Sequence, residues 1–259
     1  MYKMVKAECL MLYGELKQYY MNYVFYNIGL LIIFMGIFYS FSDSDNGMAL
    51  GMLYALVMWQ LCMAALSYLP NVIQDEALMG TLEQISMTRT SIFKVLISKV
   101  IVSAIFDIVK ASVLFFICLF LFNLQGLILE AGSINFLLIG IIIATFVTFY
   151  AFGLFFAGVA LFYKRIHAII QVISYALLFF TNITVSVDYL PAVIRIISNI
   201  VPISWAVRYI NMILEGYHGQ LNEIVMWYLV SSILFIMVGF IGFRVLLMRA
   251  KKLGKLAHY

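Results

Sequence analysis

The sequence predicts an all-α polytopic membrane protein: six transmembrane helices, an N-terminal interfacial helix, a cytoplasmic helix between spans two and three and an outer re-entrant hairpin before the last span. Three observations predict it. The 259 residues are 65% hydrophobic and only 11% charged, with a mean hydropathy of +1.06, where a soluble domain carries about 25% charged residues. Six runs are apolar enough to cross a hydrocarbon core about 30 Å thick, which takes about 20 residues of helix. Lysine and arginine gather on alternate connections, the asymmetry that orients membrane proteins.

Residues 1–22 mix Lys3, Lys6 and Lys17 with Met, Leu and Tyr at roughly helical spacing, which suits a helix in the interface with tyrosines at headgroup depth. They lack the apolar core and small-residue cleavage site of a signal peptide. The spans follow at 23–41, 48–69, 100–124, 136–162, 168–187 and 224–247. The polar turn SDSDNG makes the first two a tight hairpin. No linker or long repeat divides the chain, so 1–259 is read as one membrane domain.

Two connections stand out. Residues 76–94 open a polar, helix-capable island between spans two and three, EALMGTLEQISMTRTSIFKVLISK through Lys99. Leu78, Leu82, Ile85 and Thr88 fall on one helical edge, Glu76, Glu83 and Arg89 add charge, and Gly80 permits close approach of another backbone. Residues 190–214 are apolar but hold Arg195, Pro202 and Arg208. Each arginine at a bilayer centre costs about 2.5–3.5 kcal/mol, and Pro202 splits the run into pieces too short to span. A hairpin that enters the outer leaflet and returns fits better than a seventh span.

Orientation follows from the cations. Arg89, Lys94 and Lys99 lie between spans two and three, Lys164 and Arg165 after span four, and Arg249, Lys251, Lys252 and Lys255 after span six. The other side carries Asp43, Asp45, Glu130, Asp188, Glu215 and Glu223. Both termini are therefore expected in the cytoplasm of a multi-pass cell-membrane protein. The net charge of +4 is then a topology signal, and a nucleic-acid partner is not implied.

Catalytic and metal chemistry find no pattern. His167, His218 and His258 are scattered, the cysteines Cys9, Cys62 and Cys118 have no ligand spacing, and zincin, nucleophile-elbow and P-loop motifs are absent. The exception to scattered charge is Asp107 with Lys110, three apart inside span three and so able to pair. An intramembrane pair is either a functional site or a structural bridge between helices. Span five carries Gln171, Ser174, Tyr175, Asn182 and Ser186 near steps of three and four, a stripe that fits a wet pathway or interhelical hydrogen bonds. Tyr54, Met58, Trp59 and Met63 in span two could line an amphiphile pathway or simply pack.

Two motifs carry a resemblance. Glu76-x-x-x-Gly80-Thr81-Leu82-Glu83-Gln84, with Met87-Thr88-Arg89, Ser91 and Lys99, resembles the E-R-E-x-G-T-L-E…T-P…G-K run of ABC-2 type transporter membrane subunits (the type V exporter fold). Val201-Pro202-Ile203-Ser204-Trp205-Ala206-Val207-Arg208-Tyr209 through Leu214-Glu215-Gly216 resembles that family's N-P-L-T-x-x-x-x-x-R…L-x-G run before the last span. Ala77, Leu78, Arg89 and Ser98 depart from its usual residues. The resemblance implies a coupling helix gripped by a separate ATPase, with Glu76, Gly80, Thr81, Leu82, Glu83, Thr88 and Arg89 at the contact. It implies an outer gate at Pro202, Trp205 and Arg208, and a path between two membrane subunits lined partly by spans two and five.

The expected function is the membrane subunit of an ATP-driven exporter of an amphiphilic drug, peptide, lipid or glycan. No cofactor is expected on this chain; ATP and Mg belong to two copies of an ATPase partner, and a second membrane subunit completes a homodimer or heterodimer in the lipid. The alternative is a non-transporting membrane anchor or immunity-type binding protein. An ion-coupled carrier would need a midplane acidic relay, of which only Asp107–Lys110 offers a part.

Overall fold

The computed structural model describes residues 2–40, 46–81, 84, 87, 92–126, 134–163, 166–185, 187–214 and 221–253. Among them the chain is helical without strand, as a lipid-embedded backbone must be to bond its own N–H and C=O groups. The helices are α1 (Tyr2–Gln18), α2 (Tyr20–Ser40), α3 (Asn46–Leu78), α4 (Ile92–Leu121), α5 (Ile134–Ala160), α6 (His167–Phe180), α7 (Ala192–Ile200), α8 (Pro202–Leu214) and α9 (Leu221–Lys252), with a 3₁₀ turn at Val187–Tyr189.

The bundle is organised on α5, which packs along both α3 and α9. Small residues bring these backbones together. A Cβ added at Gly239 of α9 would collide with the Ala151 carbonyl oxygen of α5, and this kind of seam is how helices associate where lipid removes the hydrophobic driving force. Trp59, Leu53, Met58 and Leu66 of α3 are fully buried with Phe146 and Phe149 of α5. The periphery is apolar and open: Phe116, Phe120, Val172 and Ile233 face outward, the pattern of a surface solvated by acyl chains. Helix α2 stands at the edge, with only Leu30 and Phe34 buried.

Among the described residues five helices are long and apolar enough to cross a membrane; the bent pair α7–α8 would be a sixth only as one broken span. The pair turns through 86° at Val201, where Pro202 opens α8 with the fixed φ suited to a first helical turn. The hairpin expected at 190–214 is therefore present.

Two expectations need correction. The span expected at 168–187 is a 14-residue helix that stops at Phe180, about 21 Å long. Asn182 adopts φ 66° and its Oδ1 accepts the Val187 N–H at 3.1 Å; asparagine tolerates this left-handed geometry and ends the helix there. Asn182 thus does not continue the polar stripe of Gln171 and Tyr175, and Ser186 lies outside the described residues. Helices α6 and α8 each pack on α3, at different levels along it. Trp59 of α3 bonds the Ser174 carbonyl of α6, while Gly51 near the start of α3 sits against Asn211 of α8.

Glu76 and Leu78 also differ from expectation. They belong to the end of α3, a 33-residue helix that runs on past Pro70, and not to a separate island helix. Gly80, at φ 71°, breaks the helix behind them in a conformation open to glycine. Leu82, Glu83, Thr88 and Arg89 lie outside the described residues.

Candidate functional site

Helices α3 and α4 measure about 50 and 45 Å, longer than a hydrocarbon core of about 30 Å, and the end of α3 and the start of α4 lie beside α1. Glu76 at the end of α3 and Lys99 in the third turn of α4 meet there, Nζ to Oε1 at 3.0 Å. The same ammonium lies 3.6 Å from Glu8 Oε1 of α1. Thr81, just past Gly80, donates its hydroxyl to both the Glu76 carboxylate and the Glu76 carbonyl. One lysine thus ties three segments: α1, the end of α3 and the start of α4. Tyr68 of α3 adds a bond to the Lys99 carbonyl at 3.2 Å.

About two helical turns further along α4 lies the second polar centre. Asp107 is buried; its Oδ1 pairs with Lys110 Nζ at 2.6 Å, and its Oδ2 accepts from Tyr150 of α5 at 3.1 Å and Ser103 at 3.3 Å. The Lys110 ammonium also stands 4.9 Å from the Phe106 ring centroid and 5.9 Å from that of Tyr26. A carboxylate with three donors and an ammonium over two aromatic faces is a compensated ion pair in a low-dielectric setting.

Both centres open onto one cavity of about 800 Å³ between α1, α2, α3, α4 and α6, within the range of small-molecule sites. Helical periodicity builds its walls. Met63, Ser67, Asn71 and Asp75 of α3 recur every four residues; Lys99, Ser103, Phe106, Asp107 and Lys110 follow on α4; His167, Gln171 and Ser174 come from α6. Glu8, Glu15, Tyr23 and Tyr26 close it from α1 and α2. Gln171 donates to Tyr175 at 3.0 Å.

Of the residues singled out by sequence, Met63, Glu76, Asp107, Lys110, Gln171 and Ser174 are brought together here. Tyr54, Met58 and Trp59 are not: they are buried in the bundle core, and the Trp59 indole is committed to the Ser174 carbonyl at 2.8 Å. In this chain they pack.

A family model described as ABC-2 type transporter matches residues 1–214, which takes in the cavity, the Lys99 junction and the hairpin. The chain belongs to the ABC-2 type transporter family. No curated protein matches it. It is accordingly the permease component of an ABC transporter, a class that typically works with an ABC ATPase and is not itself catalytic.

In this ABC-2 permease the hairpin is cross-braced at its bend. Trp205 donates its indole N–H to the Asn199 carbonyl at 2.7 Å and stacks on Trp227 of α9 at 6.0 Å. Arg208 bonds Asn199 Oδ1 at 3.1 Å and lies 4.8 Å over the Trp205 ring. Pro202 is buried below them. Sequence reading missed Glu8, Glu15, Asp75 and Tyr150 of the permease's cavity and its polar network. For Asp75 a signal exists, since Ser67, Asn71 and Asp75 form a polar line of step four; Glu8 and Glu15, seven apart, share a face of α1.

Proposed function

We propose that the chain is the membrane half of an ATP-driven exporter, and that residues 76–94 couple it to a separate ATPase carrying ATP and Mg. The family supports the permease role, and the observation that carries the coupling reading is the Lys99 junction. A push on the connection after Gly80 is borne by Thr81 and Glu76, and through Lys99 by α1 and α4 at once. Rigid helices pass such a displacement along their whole length, so the two nucleotide states of an ATPase bias two arrangements of the permease by their differential affinity.

Two ATPase copies and a second permease, identical or related, complete the assembly in the cell membrane with the α1 end facing the cytoplasm. The lysine and arginine distribution supports that orientation. The substrate class is amphiphilic, because the cavity joins ionic groups to tyrosine and methionine walls beside lipid. Affinity purification of the tagged chain from native membranes tests this reading. An ABC ATPase should co-purify and drive transport that stops when its hydrolysis is blocked; a working native assembly without such an ATPase would refute it.

A further inference from the structure

The cavity has a sign. Its wall carries five carboxylates, Glu8, Glu15, Asp75, Glu76 and Asp107, against the ammonium groups of Lys99 and Lys110, a formal net charge of −3 over these seven groups. The two lysines are consumed by Glu8, Glu76 and Asp107. Glu15 and Asp75 make no ion pair among the described residues and are exposed; the Glu15 carboxylate accepts the Tyr23 hydroxyl at 2.9 Å. The surplus negative charge is thus held by groups free to meet a ligand.

The rest of the wall suits the other half of such a ligand. Tyr23, Tyr26, Tyr68 and Phe106 present ring surface, and aromatic faces attract cations as well as apolar groups. An independent feature lies in the wall of the same space. Ser174 of α6 lines the cavity and is fully buried, yet its hydroxyl has no hydrogen-bond partner among the described residues. A buried polar group without a partner carries a desolvation cost that a bound donor or acceptor removes.

We infer that this intraprotomer cavity binds an organic cation, an amine on an aromatic or aliphatic body, with Glu15 and Asp75 facing the charge, the tyrosines the body and Ser174 a polar atom of the ligand. The inference rests on the exporter reading for its biological sense and names the substrate class within it. Anionic lipids, acidic glycans and nucleotides are disfavoured by the same charge, since like charges repel most strongly where water is scarce.

Fluorescence titration of the full chain in lipid nanodiscs, without nucleotide, tests it. The probes are dansylcadaverine, whose primary amine is protonated at neutral pH, and its N-acetyl derivative, which keeps the aromatic body and loses the charge. The amine should bind saturably and about tenfold more tightly than the acetylated probe, a difference one charge contact readily supplies. Joint replacement Glu15→Gln and Asp75→Asn, at two exposed positions, should weaken amine binding by about tenfold. Ser174→Ala should weaken it several-fold, and Glu223→Gln on α9, outside the cavity, should leave it unchanged. Equal affinity for both probes, or amine binding untouched by the double replacement, would overturn the proposal in favour of partition into lipid. Because nucleotide is absent, a failure of ATP-driven transport would refute the exporter reading and leave this result standing.

Discussion

Lys99 of α4 and Glu76 of α3 meet at 3.0 Å across the open end of the bundle, and Glu8 of α1 reaches the same ammonium from the other side at 3.6 Å. Their side chains are mostly screened from solvent, 13% and 19% exposed for the Lys99–Glu76 pair. The contact therefore resembles a buried pair more than a surface one. Removing one member of a buried pair strands the other.

Lys99→Met should strand two carboxylates and cost about 3 kcal/mol, the low end for breaking a buried pair. The coupling role adds a second expectation: ATP hydrolysis by the assembled complex persists while transport falls. The reversed pair, Glu76→Lys with Lys99→Glu, should recover thermal stability in part, limited by the repulsion it sets up with Glu8. Thermal unfolding and paired ATPase and transport assays check these outcomes. Loss of stability without uncoupling would leave Lys99 a purely structural tie.

The Asp107–Lys110 pair should behave differently from its parts. Asp107→Asn leaves the ammonium without its carboxylate and Tyr150 and Ser103 with a weaker acceptor, and should destabilise by about 3 kcal/mol. Adding Lys110→Met should return much of that loss, because replacing both partners of a buried pair is often close to neutral. A thermal-shift double-mutant cycle measures the coupling. Recovered stability together with lost transport would assign the pair a role in the transport cycle; recovered transport would make it a structural bridge.

What the sequence disclosed depended on whether the signal was local. The break at Pro202 was legible because proline's ring chemistry acts on the residues beside it. The Asp107–Lys110 contact was legible because three residues of helix fix the spacing. Lys99 meeting Glu8 was not, since 91 positions separate them and α1 alone gives no hint of what it faces. The stop at Phe180 was hidden for another reason. Residues 181–187 stay apolar enough to extend a span by composition, and only the left-handed backbone of Asn182 ends it. Tyr54, Met58 and Trp59 went to the core rather than a pathway because apolar periodicity cannot tell a protein-facing side from a lipid-facing one when every face is apolar.

The α5–α9 seam supplies a packing test. At Gly239 an added Cβ would strike the Ala151 carbonyl, whereas at Gly140 on α5 it would meet nothing within 4 Å. Gly239→Ala must separate two helix backbones and should destabilise by about 1–3 kcal/mol, the usual cost of overpacking. Gly140→Ala should be neutral or stabilising by about 0.5–1 kcal/mol, from helix propensity alone. Melting temperatures of the detergent-solubilised variants compare them, and equal shifts would contradict the close seam.

The hairpin's brace is concentrated on Trp205, which holds Asn199 through its N–H, Trp227 through stacking and Arg208 through its ring face. Trp205→Phe keeps an aromatic face and removes the N–H; Trp205→Ala removes all three. If the hairpin closes the path at its end of the bundle, the alanine variant should raise passive leak of a small dye into proteoliposomes. The phenylalanine variant should leak less, because stacking on Trp227, worth about 0.5–1.5 kcal/mol, survives. An alanine variant that folds and leaks no more than the parent would remove the hairpin from any gating role.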